Sequence, residues 1–317
     1  MKFQKILMIG YEKDNIIEKE WERIETLCDE LIIASNDSDE IEANLSGADC
    51  LLLKLGAGAD KNMIDKAPNL KYIGMFGTGY GRIDTDYATS KGITICNIAG
   101  YSTEGVSELV FALILEHVRD ISRAKIEASQ GNYSETGFSG TEISNKKFGI
   151  IGMGNIGSRV SQIASNGFNA NVVYWSRTKK PNVENDKVVY QKDLKTLIQE
   201  CDFISLHLPF TADTEKFINE ELINAIRSGA IIINTSPMEL VDIGALKKRL
   251  QKNDITFILD HSDELTKEQA EQLAQYKNCI MYPPIGYITN EATLKKQSMF
   301  VDNLQNFLNG NPTNKVN

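Results

Sequence analysis

The sequence predicts an α/β protein built from two doubly wound parallel-sheet domains. Three observations carry this. Short apolar runs alternate with amphipathic stretches along nearly the whole chain, the rhythm of parallel strands covered by helices on both faces. A glycine-rich turn, Gly152-Met153-Gly154-Asn155-Ile156-Gly157, joins one apolar run directly to a helix-compatible stretch. The length, 317 residues, suits about two domains.

The elements follow in order. Residues 5–9 read as a strand, 16–27 as an amphipathic helix and 31–34 as a second strand. A short helix at 39–45 carries acid at its start, then come a strand at 50–55, a helix at 60–66 and a strand at 70–75. A short helix at 84–90 and a strand at 93–96 close the first run. One long helix is expected from 102 to 129, because Val106, Leu109, Val110, Leu113 and Ile114 recur at helical spacing. Residues 130–144 have loop composition. Strands are then expected at 148–151, 172–175, 188–190, 203–206, 230–233, 256–259 and 279–282. The intervening helices fall at 158–165, 193–200, 219–227 and 243–251. A last amphipathic helix, 290–308, should fold back on the first domain, and the tail 309–317 is expected to be mobile. The predicted domains are thus 1–99 with 289–317, and an inserted 100–288.

The stretch 148–178 points to a dinucleotide. The run Phe148-Gly-Ile-Ile151 meets the glycines with no intervening residue, and a second apolar run follows the helix. That is the strand–turn–helix–strand setting a dinucleotide fingerprint requires. Gly152 permits the tight turn, Gly154 admits the pyrophosphate to the backbone, and Gly157 lets helix and strand pack closely. Helix N–H groups at Asn155 and Ile156 face the diphosphate. A carboxylate roughly 20 positions on would hold the ribose hydroxyls of NAD. Ser176 fills that slot, followed by Arg177 and Thr178. Nothing there repels a 2′-phosphate and Arg177 can fork onto one, so NADP(H) is expected over NAD(H).

Composition narrows the class. Hydrophobic residues make up 42% and charged residues 24%, ordinary for a chain with a full core. A net charge of −9 without a long basic block weighs against nucleic acid or an anionic membrane as partner. No run approaches the about 18 apolar residues of a membrane span. The opening residues read as a strand, too short in apolar character for a secretion signal. Five scattered cysteines, with no CxxC pair, suggest reduced thiols and a cytoplasmic protein, not a disulfide frame or metal site. The three histidines are His117, His207 and His261.

The order of motifs resembles the D-isomer-specific 2-hydroxyacid dehydrogenases. The resemblance runs through Leu70-Lys-Tyr-Ile-Gly-Met-Phe-Gly-Thr-Gly-Tyr-Gly-Arg-Ile-Asp84, Gly92-Ile-Thr-Ile-Cys-Asn97 and Gly100-Tyr-Ser-Thr-Glu-Gly-Val-Ser-Glu108. It continues through the fingerprint, Cys201-Asp-Phe-Ile-Ser-Leu-His-Leu-Pro209 and Gly229-Ala-Ile-Ile-Ile-Asn-Thr235. It implies two Rossmann-like or flavodoxin-like domains with a cleft between them, a nicotinamide cofactor, and a homodimer through the cofactor domain. It implies a small carboxylate substrate held by the backbone of Gly77-Thr78-Gly79. It adds His207, Pro209, Thr214, Thr235 and Asp260 to the cofactor-facing set.

The family's chemistry uses an arginine on the substrate carboxylate, a histidine that moves the proton, and a carboxylate that raises the histidine's pKa. Here Asn234-Thr-Ser-Pro-Met-Glu-Leu-Val-Asp242 puts Pro237 at the arginine position. Pro283-Pro-Ile-Gly-Tyr-Ile-Thr289 puts Pro284 at the histidine position. The carboxylate position, five after Asp260, is Leu265, with Glu264 and Asp263 just before it. Proline offers neither donor nor titratable proton. The candidate replacements are His261, Glu264 and Tyr287 for the proton, and Lys54, at a strand end, for the lost positive charge. Each also has an ordinary reading as a surface or packing residue. The open functional readings are a reductase of a small 2-oxo acid, imine or related carbonyl compound with a relocated proton donor, a catalytically silent dinucleotide-binding sensor or scaffold, and a folded remnant.

Overall fold

The computed structural model describes residues 1–35, 38–54 and 56–317. The chain divides into two compact units, Met1–Tyr101 with Asn290–Asn317, and Ser102–Thr289.

The first unit opens with β1 (Phe3–Ile9), α1 (Glu18–Thr26), β2 (Cys28–Ala34) and α2 (Ser38–Leu45). It continues with β3 (Cys50–Lys54), α3 (Lys61–Asp65), β4 (Tyr72–Phe76), α4 (Thr85–Ser90) and β5 (Thr94–Cys96). Leu55, expected to end β3, lies outside the described residues. The five strands form one parallel sheet in the order β2-β1-β3-β4-β5. The central strands β3 and β4 are almost wholly apolar and buried because both their faces are covered, whereas β2, at the sheet edge, carries Asp29 and Glu30. Along β1, Ile6 and Met8 join one core while Leu7 and Ile9 join the opposite one. Cys50 and Leu52 alternate with Leu51 and Leu53 in the same way on β3.

The second unit contains α5 (Thr103–Arg119), α6 (Ile121–Ser129), β6 (Lys147–Ile151), α7 (Asn155–Gln162), β7 (Asn171–Trp175) and β8 (Val188–Tyr190). It then has α8 (Leu194–Glu200), β9 (Phe203–Leu206), α9 (Glu220–Ala225), β10 (Ile231–Asn234), α10 (Ile243–Leu250), β11 (Thr256–Leu259), α11 (Lys267–Leu273) and β12 (Cys279–Met281). Its parallel sheet runs β12-β11-β10-β9-β6-β7-β8. The strand order reverses between β6 and β9, which is where such sheets open a crevice for ligand. The last helix, α12 (Asn290–Leu308), returns to the first unit. It buries Phe300, Val301, Leu304 and Leu308 with Trp21 and Ile24.

Four expectations are corrected. The long helix breaks in two at Asp120, whose φ of 50° is left-handed and ends the α5 hydrogen-bond ladder. The helix after the glycines begins at Asn155, not 158, and passes through a π-turn at Ile163–Gly167. α11 starts at Lys267, behind a reciprocal capping box of Thr266 and Gln269, and not at the acidic run from Asp263 that reads as a helix start. The tail is anchored. Lys315 forms an antiparallel bridge with Cys96, Val316 N–H donates to Ile95, and the Asn317 side chain caps Ile93 and Ile95. All five thiols are free and buried. Among the described residues, no helix is long and apolar enough to cross a membrane.

One buried amide ties the tail to a loop. The Asn303 side chain donates to the Asn97 carbonyl (2.8 Å) and accepts from Thr313 and Asn314. Asn97 in turn donates to the Thr78 carbonyl at 2.7 Å. Truncation after Asn311 is therefore expected to speed amide exchange at Ile95 and Asn97, whose acceptors lie in the tail, and to leave β6 and β9 unchanged. Hydrogen-exchange mass spectrometry reads both; unchanged exchange at Ile95 and Asn97 would show that the tail does not hold the edge strand.

Candidate functional site

At the switch point of the second unit the backbone is locked by glycine. Gly152 leaves β6 at φ +103°, and its N–H donates to Trp175 (2.9 Å). A Cβ there would overlap the His207 carbonyl where β9 ends. A Cβ on Gly157 would overlap the Gly152 carbonyl, so any other residue would push α7 off the turn. Gly154 differs: nothing lies within 4 Å of its added Cβ. The first intrahelical bond is Ser158 N–H to Gly154, at 2.9 Å. The N–H groups of Asn155, Ile156 and Gly157 therefore lie ahead of the ladder, free for an anion. Two glycines are required by the protein's own packing, and one faces open space.

The loop after β7 is pinned at both ends. Ser176 is buried, and its hydroxyl donates to Thr178 O at 2.7 Å. Lys180 N–H donates to the Tyr174 phenol at 2.8 Å, and Lys179 pairs with Glu184 at 3.0 Å. Arg177 and Thr178 are exposed between these anchors. Arg177 makes no hydrogen bond or ion pair among the described residues.

His207 follows β9. Its Nε2 lies 2.8 Å from Ser205 Oγ, and Nδ1 lies 3.4 Å from Thr235 Oγ1. Burial pushes its pKa from the usual 6.5 down to about 3, so the ring is neutral at physiological pH. Thr214 Oγ1 donates to the Pro209 carbonyl at 2.8 Å and holds the following turn. Asp260, at the end of β11, is buried, and one carboxylate oxygen has no hydrogen-bond partner among the described residues. Its other oxygen sits beside Gly286, where a Cβ would approach to 2.8 Å. Burial raises the Asp260 pKa. A buried acceptor without a donor suits a ligand N–H.

The comparisons with known proteins agree with this geometry. The sequence model for the D-isomer specific 2-hydroxyacid dehydrogenase NAD binding domain matches residues 111–286. Glyoxylate reductase of Thermococcus litoralis is 35% identical over 280 residues, 85% of this chain and 83% of that one. The chain belongs to the D-isomer-specific 2-hydroxyacid dehydrogenase family. That membership places it among the NAD(P)-dependent oxidoreductases. Two solved structures are similar along nearly their full length. An acyclic imino acid reductase (Bsp5) in complex with NADPH and D-Arg has a TM-score of 0.86 and 28% identity, covering 99% of this chain and 100% of that one. D-lactate dehydrogenase from Aquifex aeolicus, with NAD and lactic acid, has a TM-score of 0.82 and 27% identity, covering 96% of each chain.

Within this dehydrogenase-family chain, Pro237 opens a 3-10 turn, Met238–Leu240, after β10. Glu264 reaches that turn, and its Oε2 accepts Met238 N–H at 2.8 Å. Glu264 also lines a cavity of about 330 Å³ with Met238, Glu239, Asp242, Leu265 and Gln269. Burial raises the Glu264 pKa. His261 is surrounded by carboxylates: Glu264 Oε1 at 3.5 Å, Asp260 Oδ1 at 3.6 Å and Asp263 Oδ1 at 4.0 Å. His261 and Glu264 are thus brought together, with Asp260 beside them. Tyr287 is not part of this group; it is exposed, and its phenol bonds nothing among the described residues. Pro284 is half-buried in a turn closed by Ile285 N–H to Pro283 and Ile288 N–H to Ile285.

The other candidates lie in the first unit. The carbonyls of Gly77 and Thr78 are taken by Ile98 N–H and the Asn97 side chain. The Thr78 hydroxyl donates to Ile98 O at 3.0 Å. The N–H groups of Thr78 and Gly79 make no hydrogen bond among the described residues. Lys54 Nζ donates to Asn15 Oδ1 at 2.9 Å. The sequence reading missed Ser205, Asn15 and Lys296. Ser205 had a signal, since two-residue spacing puts it on the strand face of His207. Asn15 had none, because its partner is 39 residues away.

The contrast between the glycines is testable. Gly157→Ala should destabilise the protein by about 1–3 kcal/mol, as overpacking against a backbone carbonyl does. Gly154→Ala should leave the melting temperature unchanged while weakening dinucleotide binding. Thermal unfolding and NADPH fluorescence titration check the pair; equal destabilisation would show that the space at Gly154 is filled.

Proposed function

We propose that this chain binds NADP(H) and reduces a small 2-imino or 2-oxo acid at C2. The open space at Gly154, above the free helix N–H groups, is the observation that carries the cofactor reading. Asn155, Ile156 and Gly157 hold the diphosphate through the backbone, and Arg177, with Thr178, takes the 2′-phosphate. The neutral His207, fixed by Ser205 and Thr235, packs beside the cofactor with Pro209 and Thr214. The Asp260 oxygen that lacks a hydrogen-bond donor accepts the carboxamide N–H. When bound, the reduced cofactor supplies a hydride. The NADPH complex of the imino acid reductase relative supports this cofactor.

The proline substitutions favour the imine. Reducing a 2-oxo acid places charge on oxygen and needs a proton delivered there. A protonated imine already carries that proton on nitrogen, so hydride addition at C2 gives the neutral amine with no further donor. Pro284 supplies none. His261 and Glu264 form an acid–base pair near the Pro237 turn, and they serve the turnover of a 2-oxo acid. The backbone of Gly77, Thr78 and Gly79 holds the substrate carboxylate. We further propose a homodimer through the second unit, where Ile121, Ile126 and Tyr133 expose apolar surface.

A second reading rests on one observation: the Glu264 carboxylate is already engaged by Met238 N–H, and the two prolines offer no proton. On that reading the chain binds NADPH and does no chemistry. Mixing the protein with NADPH and a panel of 2-oxo acids, with and without ammonia or methylamine, separates the two by absorbance at 340 nm. Turnover that requires the amine is expected. Tight NADPH binding with no turnover anywhere would move the chain to the silent reading, and absence of binding would sink both.

Cofactor choice has its own test. Arg177→Asp should weaken NADPH about ten-fold or more, the loss of a charge-assisted pair, and leave NADH within about two-fold. Equal loss for both cofactors would remove Arg177 from the 2′-phosphate.

A further inference from the structure

In the first unit the strand order β2-β1-β3-β4-β5 reverses between β1 and β3. Ligands of open parallel sheets bind at the carboxyl ends of the strands where the order reverses. Lys54 is the last residue of β3, and its ammonium reaches across the reversal to Asn15, in the turn after β1. Its register partner on β4 is Phe76. A second ammonium stands over the Phe76 ring: Lys296 Nζ of α12, 4.2 Å from the ring centroid. Lys296 is also 5.7 Å from the Tyr101 ring, and one helical turn on, Phe300 packs edge-to-face on Phe76 at 4.9 Å. Directly after Phe76 come Gly77, Thr78 and Gly79, with the N–H groups of the last two free.

Among the described residues these two cations have no counterion. Neither Lys54 nor Lys296 forms an ion pair with a carboxylate among the described residues, although 43 acidic side chains are present in the chain. Both are half-buried. Burial, and then the neighbouring Lys54, hold the Lys296 ammonium below its usual pKa. Two partly desolvated like charges near one strand end are unfavourable unless an anion joins them. The Phe76 ring offsets part of that for Lys296, and Asn15 solvates Lys54 without neutralising it. Both leave the positive charge in place.

We propose that Lys54 and Lys296, at the switch point of the first unit, form the seat of a second anionic group on a dianionic substrate, besides the carboxylate held by the Thr78–Gly79 backbone. This rests on the reading of the chain as a reductase of small 2-imino or 2-oxo acids, and it narrows that class to acids with a second carboxylate or a phosphate. Lys54 is fixed by Asn15 and Lys296 by Phe76, so both donors are oriented before ligand arrives.

The test is calorimetric titration of the full chain with oxalate, malonate, inorganic phosphate and acetate. The dianions should bind roughly ten-fold or more tighter than acetate. Lys296→Met and Lys54→Met should each weaken dianion binding roughly ten-fold, while Lys296→Arg retains most of it. Malonate or oxalate above phosphate identifies a dicarboxylate, and the reverse order a phosphorylated acid. Acetate binding as tightly as the dianions, or dianion binding unmoved in both methionine variants, overturns the proposal. NADPH titration of the same samples keeps the two readings apart. Normal NADPH binding with no dianion binding removes the lysine seat alone, and dianion binding without NADPH binding removes the cofactor reading alone.

Discussion

The second unit depends on a contact that only glycine permits. Gly157 brings α7 so close to the turn after β6 that a single methyl would overlap the Gly152 carbonyl. Gly152, at φ +103°, brings that turn against the His207 carbonyl where β9 ends. Helix, first strand and crossover strand therefore meet at one backbone junction with no side chain between them. Their relative positions follow from it. The helix N–H groups are aimed past Gly154 into open space, and the β6–β9 reversal is held open at its carboxyl edge. His207 then hangs from the same junction, with hydroxyls on both ring nitrogens and too little solvent to take a proton.

The first unit solves a similar problem with polar groups. Its loop at Gly77, Thr78 and Gly79 is held through its carbonyls, which leaves its N–H groups outward. The holding residue, Asn97, is fixed by Asn303 of α12, and Asn303 is fixed by the tail. Each of these amides is paired because an unpaired polar group in that interior costs about 1–3 kcal/mol. Lys54 and Lys296 differ: they are half-buried cations with no carboxylate partner among the described residues.

Much of this was legible in the residues. Strands β8, β9 and β11 begin and end where the short runs of apolar and β-branched residues do, since such runs between turns mark a strand by themselves. The three glycine roles were legible because each is a local demand of the backbone. The helix break at Asp120 was not, since an apolar helical period continues on both sides and a single left-handed residue leaves it intact. The anchored tail was missed for another reason: its partners, Ile93 to Asn97, lie more than 200 residues earlier. Glu264 reads from its position as a candidate proton donor or a surface acid, and its carboxylate is bound to the backbone of a turn 26 residues away.

The sequence by itself determined the two parallel sheets, the glycine junction, the basic character after β7, and the absence of a proton donor at Pro237 and Pro284. These are set by side-chain type at a position, or by spacing within one strand or helix. Tertiary structure alone decided which polar groups are spent and which are left over. It paired Glu264 with Met238 N–H, left one oxygen of Asp260 without a hydrogen-bond donor, and set Lys54 on Asn15 and Lys296 over Phe76 with no carboxylate partner among the described residues. The reason is physical: hydrogen-bond and charge partners are drawn from elements remote in sequence, and which donor meets which acceptor follows only once the sheets have fixed the strand ends in space.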